Sequence, residues 1–139
     1  MKTYTYTTRT HVPADRLYRA VANISRWPEW AGDIEWTAHD GRLEPGSPFT
    51  LKPKGGPKVQ LEVVEARPAS VFTDLARLPL ATMRTSHAFA EDAAGTTMTV
   101  EISISGPLGF LWDRIIARKQ AADAAEQTKR LVAFAEVCA

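Results

Sequence analysis

Apolar residues recur along this chain with two different periods, and the change of period divides it into parts. Residues 3–10 alternate Thr with Tyr and other polar residues, the β-branched and aromatic pattern of a strand. Val12-Pro13-Ala14-Asp15 then opens a short helix, with Pro13 near its first position and Leu17, Val21 and Ile24 on one face, Tyr18 beside them. Arg26-Trp27-Pro28-Glu29-Trp30 predicts a second short helix that starts at the proline and closes at Gly32. From Asp33 the period becomes two. Strands are predicted at 34–39, 48–52, 58–66, 70–77, 82–90 and 96–105, separated by turns rich in Gly and Pro such as Pro53-Lys54-Gly55-Gly56-Pro57. In the last strand Met98, Val100, Ile102 and Ile104 share one face and Thr97, Thr99, Glu101 and Ser103 the other, as a half-buried antiparallel strand requires.

The final third, 106–139, changes period again. After Gly109 it contains no Gly or Pro, which predicts one long helix opening at Pro107. Leu108, Leu111, Trp112 and Ile115 fall on one face, and Leu131, Phe134, Ala135 and Cys138 form a later apolar set. The middle is Ala-rich: Ala117, Ala121, Ala122, Ala124 and Ala125. A helix of this length needs a partner surface, because propensity alone gives little net stability in water. Strands that meander and then meet one terminal helix imply an α+β domain with the helix against one sheet face. Small side chains on the middle turns would leave a space between helix and sheet.

Composition narrows the class. With 139 residues, 45% hydrophobic and 24% charged, the chain is sized and composed for one domain with a real core. A net charge of +1 without a sustained basic run gives no bulk attraction to nucleic acid or to an anionic membrane. The single cysteine, Cys138, excludes an intrachain disulfide and fits a reducing cytoplasm. The N-terminus is polar and lacks the apolar core of a signal peptide. No apolar run approaches the ~18 residues of a membrane span.

Four segments in order carry a resemblance. They are Val12-Pro13-Ala14-Asp15-Arg16-Leu17-Tyr18; Ile24-Ser25-Arg26-Trp27-Pro28-Glu29-Trp30; Leu43-Glu44-Pro45-Gly46-Ser47; and Gly95-Thr96-Thr97 leading to Ser105-Gly106-Pro107-Leu108. On these the chain resembles the helix-grip superfamily of Bet v 1-like or START-like (SRPBCC) domains. Within it, the chain is most similar to bacterial polyketide cyclase/dehydrase-like proteins. The resemblance implies a seven-stranded curved antiparallel sheet gripping the C-terminal helix, with two short helices after the first strand and a cavity for an apolar or amphipathic ligand. The superfamily includes aromatase/cyclases, lipid carriers, hormone receptors and quinone-binding proteins, so fold does not choose the activity.

His87 is the first candidate for chemistry. It shares parity with Met83, Thr85 and Phe89, so it faces the concave side if Phe89 does, where a neutral imidazole could act as general acid/base. The simpler alternative is a core histidine bonded to Thr85 or to backbone. Arg84 has the opposite parity and points outward if His87 points inward. Asp74 is expected to pair with Arg84 across the outer face, and the direction of Arg77 stays open. An inward arginine stabilising an enolate is what related aromatase/cyclases imply. Trp30, Trp36 and Trp112 are candidate cavity aromatics, while Trp27 is read as packing between helices. Tyr18 either presents its hydroxyl to the cavity or packs at the rim. The candidate ligand-binding set is therefore Tyr18, Trp30, Trp36, Met83, Thr85, His87, Val100, Ile102 and Trp112.

His11, His39 and His87 have no metal-ligand spacing, and neither a phosphate loop nor a dinucleotide fingerprint is present, so neither metal nor cofactor is expected. The leading expectation is binding of a small hydrophobic or amphipathic molecule, whether lipid, quinone or polyketide-like. The alternatives are a cyclase/dehydratase using His87, and a protein-interaction module. A homodimer is compatible with the sequence, and Cys138 could cross-link one under oxidising conditions.

Overall fold

A computed structural model describes residues 1–138, the last by its backbone alone. The side chain of Cys138, expected to extend the helix's apolar face, lies outside the described residues. The elements run β1 (Lys2–Thr10), α1 (Ala14–Ala22), a 3-10 helix (Ile24–Glu29), β2 (Ile34–Ala38), β3 (Pro48–Pro53), β4 (Val59–Arg67), β5 (Val71–Leu78), β6 (Ala81–Asp92) and β7 (Gly95–Ser105). The chain ends in one helical run: α2 (Gly109–Trp112), a π-helical turn (Asp113–Ala117) and α3 (Arg118–Cys138). The strands form one antiparallel sheet in the order β1-β7-β6-β5-β4-β3-β2. β2 to β7 form a meander and β1 pairs with β7, so α1 and the 3-10 helix carry the chain from one edge of the sheet to the other.

Parity decides which side chains the sheet presents to the helix. Met98, Val100, Ile102 and Ile104 of β7 are buried, as are Met83 and Phe89 of β6 and Phe72 and Ala76 of β5. These form the concave floor. Two bulges bend the sheet, between Ile34 and Trp36 in β2 and between Val63 and Glu65 in β4. The first shifts the parity of β2, so Ile34 faces the core but Trp36 turns out and is 38% exposed. Thr37 takes the inward place and donates its hydroxyl to the Ile24 carbonyl at 2.7 Å.

The 3-10 helix is a buried wedge. Trp27 donates its indole N–H to the Val21 carbonyl at 2.8 Å and meets Trp30, Phe49 and Phe72 edge-on. It therefore packs the short helices onto the sheet. Pro28 lies inside this 3-10 helix rather than at its start.

The C-terminal run departs from the expected face at its beginning. Its helix opens at Gly109 rather than at Pro107. Gly109, Asp113 and Ala117 turn inward, while Phe110, Leu111 and Ile115 are exposed. A cause is visible in the π-turn. Tyr4 Oη donates to Asp113 Oδ1 at 2.7 Å, which draws that side chain down onto β1 and swings its large apolar neighbours outward. Further on, Ala124, Thr128, Leu131, Phe134 and Ala135 are buried and restore the apolar seam. No helix among the described residues is long and apolar enough to cross a membrane.

Candidate functional site

The pairing register assembles the site. On the concave face His87 stands between Phe72 of β5 and Val100 of β7, and Thr85 stands between Asp74 and Ile102. Met83 follows, between Ala76 and Ile104. Over this floor α3 lays Gln120, Ala124, Gln127, Thr128 and Leu131, and Trp30 closes one side. They enclose a cavity of ≈ 40 Å³ lined by Trp30, Thr85, His87, Val100, Ile102 and those five α3 residues. That volume takes a few waters or one polar functional group, since a single water needs roughly 10–15 Å³ by this measure. Gln120 and Gln127 also border a second, wider cleft of ≈ 230 Å³. Its walls are mostly apolar, including Leu61, Ala76, Met83 and Ile116, with Asp33, Lys54 and Lys119 among its polar members. The small side chain of Ala124 is what leaves the inner space: a larger residue there would fill it.

Among the described residues, three polar groups of this region stand without partners. The indole nitrogen of Trp30 and Nδ1 of His87 are buried and make no hydrogen bond. Burial pushes the imidazole down to about 4, so it is neutral at neutral pH. Asp74, 5% exposed, forms no hydrogen bond or ion pair among the described residues. Burial alone pushes its carboxyl up to about 7. The protein thus holds a neutral base and a partly protonated acid on one face, near an unsatisfied N–H donor. An unsatisfied buried donor or acceptor costs about 1–3 kcal/mol, so Trp30 and His87, which line the cavity, are places where a ligand's polar atom would be gained at high return, whereas Asp74 lines neither space.

The structure separates the sequence-derived candidates. Trp30, Thr85, His87, Val100 and Ile102 line the inner cavity, and Met83 lines the cleft. Tyr18 is buried but meets Phe89 edge-on at 6.5 Å and lines neither space; burial pushes its hydroxyl up. Trp112 donates its indole N–H to the Pro79 carbonyl at 2.9 Å, fastening the start of the helical run to the β5–β6 turn rather than facing either space. Trp36 lies outside, for the reason of the bulge. The expected hydrogen bond from Thr85 to His87 is not formed.

Asp74 corrects a further expectation. It does not pair with Arg84 on the outer face. Its register opposite Thr85 turns it inward, whereas Arg84, opposite Leu75 and Ser103, is exposed. Arg77 also points outward and bonds Glu62. Among the described residues, no arginine lines the inner cavity. Gln120, Gln127 and Thr128 are residues that sequence reasoning missed. Their signal was the spacing of 120, 124, 127, 128 and 131, which continues the seam of Leu131 back along α3.

Comparison with known proteins gives the chain its relatives. Its fold is similar to that of protein MLL2253 from Mesorhizobium loti, with a TM-score of 0.77 at 15% identity, covering 99% of both chains. It is similar to TTHA0849 from Thermus thermophilus, with a TM-score of 0.74 at 12% identity over 99% of both chains. It also matches the di-domain ARO/CYC StfQ from the steffimycin biosynthetic pathway, with a TM-score of 0.72 at 16% identity, covering 96% of this chain and 51% of that one. No protein of curated function matches in sequence. The family described as polyketide cyclase / dehydrase and lipid transport matches residues 1–136, nearly the whole chain, and the protein therefore belongs to that family.

Proposed function

We propose that the protein, acting as one helix-grip domain, binds a small, largely apolar molecule with one hydrogen-bonding end. The apolar body occupies the cleft, and the polar end passes between Gln120 and Gln127 to Trp30, Thr85 and His87. One observation carries this reading: Trp30 Nε1 and His87 Nδ1 are both buried and unpartnered beside the same cavity. A donor and a neutral imidazole lining one cavity match a hydroxyl, which accepts from the indole and donates to the ring, or a carbonyl oxygen when Nδ1 carries the imidazole proton. Size then selects among the ligand classes. The cleft's ≈ 230 Å³ lies just below the roughly 300–1,000 Å³ of drug-sized sites, which favours a compact ring system over a long lipid or an extended polyketide chain. The family's description, with lipid transport in it, agrees with an apolar cargo. The single cysteine favours a reducing cytoplasm as the place of work.

Native mass spectrometry of freshly purified protein, with released molecules identified, tests it. A stoichiometric neutral or weakly acidic small molecule supports the reading. Failure of apolar ring compounds to displace a bound apolar dye, with none co-purifying, would refute it.

A second reading has its own observation. Asp74 and His87 place an acid pushed up to about 7 and a base pushed down to about 4 on one face. In a cyclase/dehydratase the carboxyl near neutral pH would exchange the proton, and the neutral imidazole, which lines the cavity, would hold the carbonyl. In that case turnover falls ~10²-fold or more in His87→Ala. For a pure binder the same variant loses at most about tenfold in affinity.

A further inference from the structure

One end of the molecule exposes large apolar side chains that the core does not use. Phe110 is 71% exposed, Leu80 66%, Ile115 52% and Leu111 37%. The backbone brings them together. Leu108 donates its N–H to the Leu80 carbonyl at 3.0 Å, and Trp112 bonds the Pro79 carbonyl beside it. Gly106 makes this approach feasible: at φ 110° a Cβ there would lie 2.7 Å from the Leu80 oxygen. Leu80 itself holds φ 54° in the turn between β5 and β6, where Gly or Asn ordinarily stands. A bulky residue in that conformation, projecting into water, is unfavourable twice over for an isolated monomer.

Basic residues follow the apolar tip. Phe110, Arg114 and Arg118 lie four apart along the helical run, as do Leu111, Ile115 and Lys119, and all six are exposed. Arg114 and Lys119 form no ion pair among the described residues, and Arg118 lies 3.7 Å from Asp113 and close to the Tyr4 hydroxyl. Asp113 is the one acid between Gly106 and Ala122, and it is buried. The net charge of +1 hides this segregation. Lys119 and Ile115 also border the cleft described above, so the tip flanks its mouth.

We propose that this tip is a docking site for an anionic bilayer surface. The apolar side chains of Leu80, Phe110, Leu111 and Ile115 enter the headgroup region, and Arg114, Arg118 and Lys119 meet lipid phosphates. Apolar burial plus a basic collar is the combination that gives reversible interfacial attachment. The docking stands apart from the reading of the cavity. Only its consequence, exchange of an apolar ligand with the membrane through the adjoining cleft, rests on that reading.

Flotation of the full chain with vesicles tests it, using pure phosphatidylcholine and a mixture containing phosphatidylglycerol. The protein should float with the anionic vesicles, and binding should fall as salt is raised. Arg114→Gln and Lys119→Gln should each weaken partitioning about fivefold, the equivalent of roughly 1 kcal/mol per base near such a surface. Leu80→Gly should lower binding while leaving the melting temperature unchanged or higher, since glycine accepts that φ. Phe110→Ser should lower it as well. Two results would overturn the proposal: no flotation at low salt with either vesicle, or flotation that the four variants leave unaltered. A homodimer in sedimentation equilibrium that Phe110→Ser dissociates would also overturn it, because the tip would then be covered by a second copy. Dye binding in the cleft, measured without vesicles, reports separately on the cavity.

Discussion

Asp74 and His87 lie one diagonal apart on adjacent antiparallel strands: Asp74 faces Thr85 directly, and His87 is two residues beyond Thr85 on the same face. Diagonal neighbours of this kind are ~7–8 Å apart, too far to bond one another directly. Burial disfavours the charged form of both, and this gives opposite pH dependences.

The signs can be worked out group by group. Asp74 is raised in the fold, from 3.8 to about 7, so between those values the folded state holds a proton that the unfolded state has released. Its contribution to stability therefore falls as pH rises from about 4 to 7. His87 is lowered from 6.5 to about 4, so the unfolded state holds the extra proton there. Its contribution rises with pH across that interval. The two slopes largely offset between pH 4 and 6.5. Asp74→Asn should expose the His87 slope, with the urea midpoint climbing from pH 4 to 6.5. His87→Asn should expose the opposite slope, with the midpoint descending from pH 4 to 7. Each effect is on the order of 1.4 kcal/mol per pH unit at most. A flat profile in both single variants would mean that neither group is held neutral.

Trp30 offers a different test, because its N–H has no partner while its ring packs against Trp27. Trp30→Phe deletes the orphaned donor and keeps an aromatic ring. Its stability should change by no more than about 1 kcal/mol, since the lost ring volume is offset by relief of the unsatisfied group. Affinity for an oxygen-bearing ligand should fall about tenfold, the value of one hydrogen bond. Calorimetric titration of the two proteins with the same ligand decides it. Equal affinities would remove Trp30 from the binding machinery.

The strands and the concave parity of β6 and β7 were legible because alternation is a local property, and one buried face makes register costly to change. The face of Trp36 was not, because a bulge is a single extra residue with no marker in the sequence here. Asp74 shared the parity of Phe72 and Ala76, yet charge complementarity with Arg84 suggested an outward pair. Parity was the better guide, since backbone register is fixed by many hydrogen bonds and a surface ion pair by one weak contact. At the head of the C-terminal helix, apolar spacing pointed to Leu111 and Ile115 as core. The Tyr4–Asp113 hydrogen bond overrides that spacing, and such a contact between residues at opposite ends of the chain is invisible to periodicity. Gln120, Gln127 and Thr128 were hidden for the opposite reason: polar residues on a helix read as solvent-facing until a cavity is found beneath them.

That hydrogen bond can itself be tested. Tyr4→Phe removes the donor and leaves the buried Asp113 carboxyl with Arg118 alone, at 3.7 Å. The buried carboxyl oxygen then lacks its hydrogen-bond donor, so the urea midpoint should fall. Hydrogen exchange should quicken across 109–117 ahead of the rest of the helix, because the π-turn loses its tether to β1. Uniform quickening over the whole chain would show that Tyr4 supports global stability only.

Ala124 sets the size of the inner space, so its enlargement separates packing from binding. The residue is 6% exposed and lines the ≈ 40 Å³ cavity. Ala124→Val adds two carbons into that volume. The penalty for a β-branched residue in a helix is a few tenths of a kcal/mol, about 0.5, and contacts of the added methyls with Val100, Ile102 and Leu131 offset part of it. The melting temperature should therefore stay within a few degrees of the parent, about 5 °C. Ligand affinity should drop more than tenfold, because the polar end can no longer reach Trp30 and His87. Retained affinity would place the ligand wholly in the outer cleft. In that event Gln120 and Gln127, rather than the buried pair, would be the groups that select it.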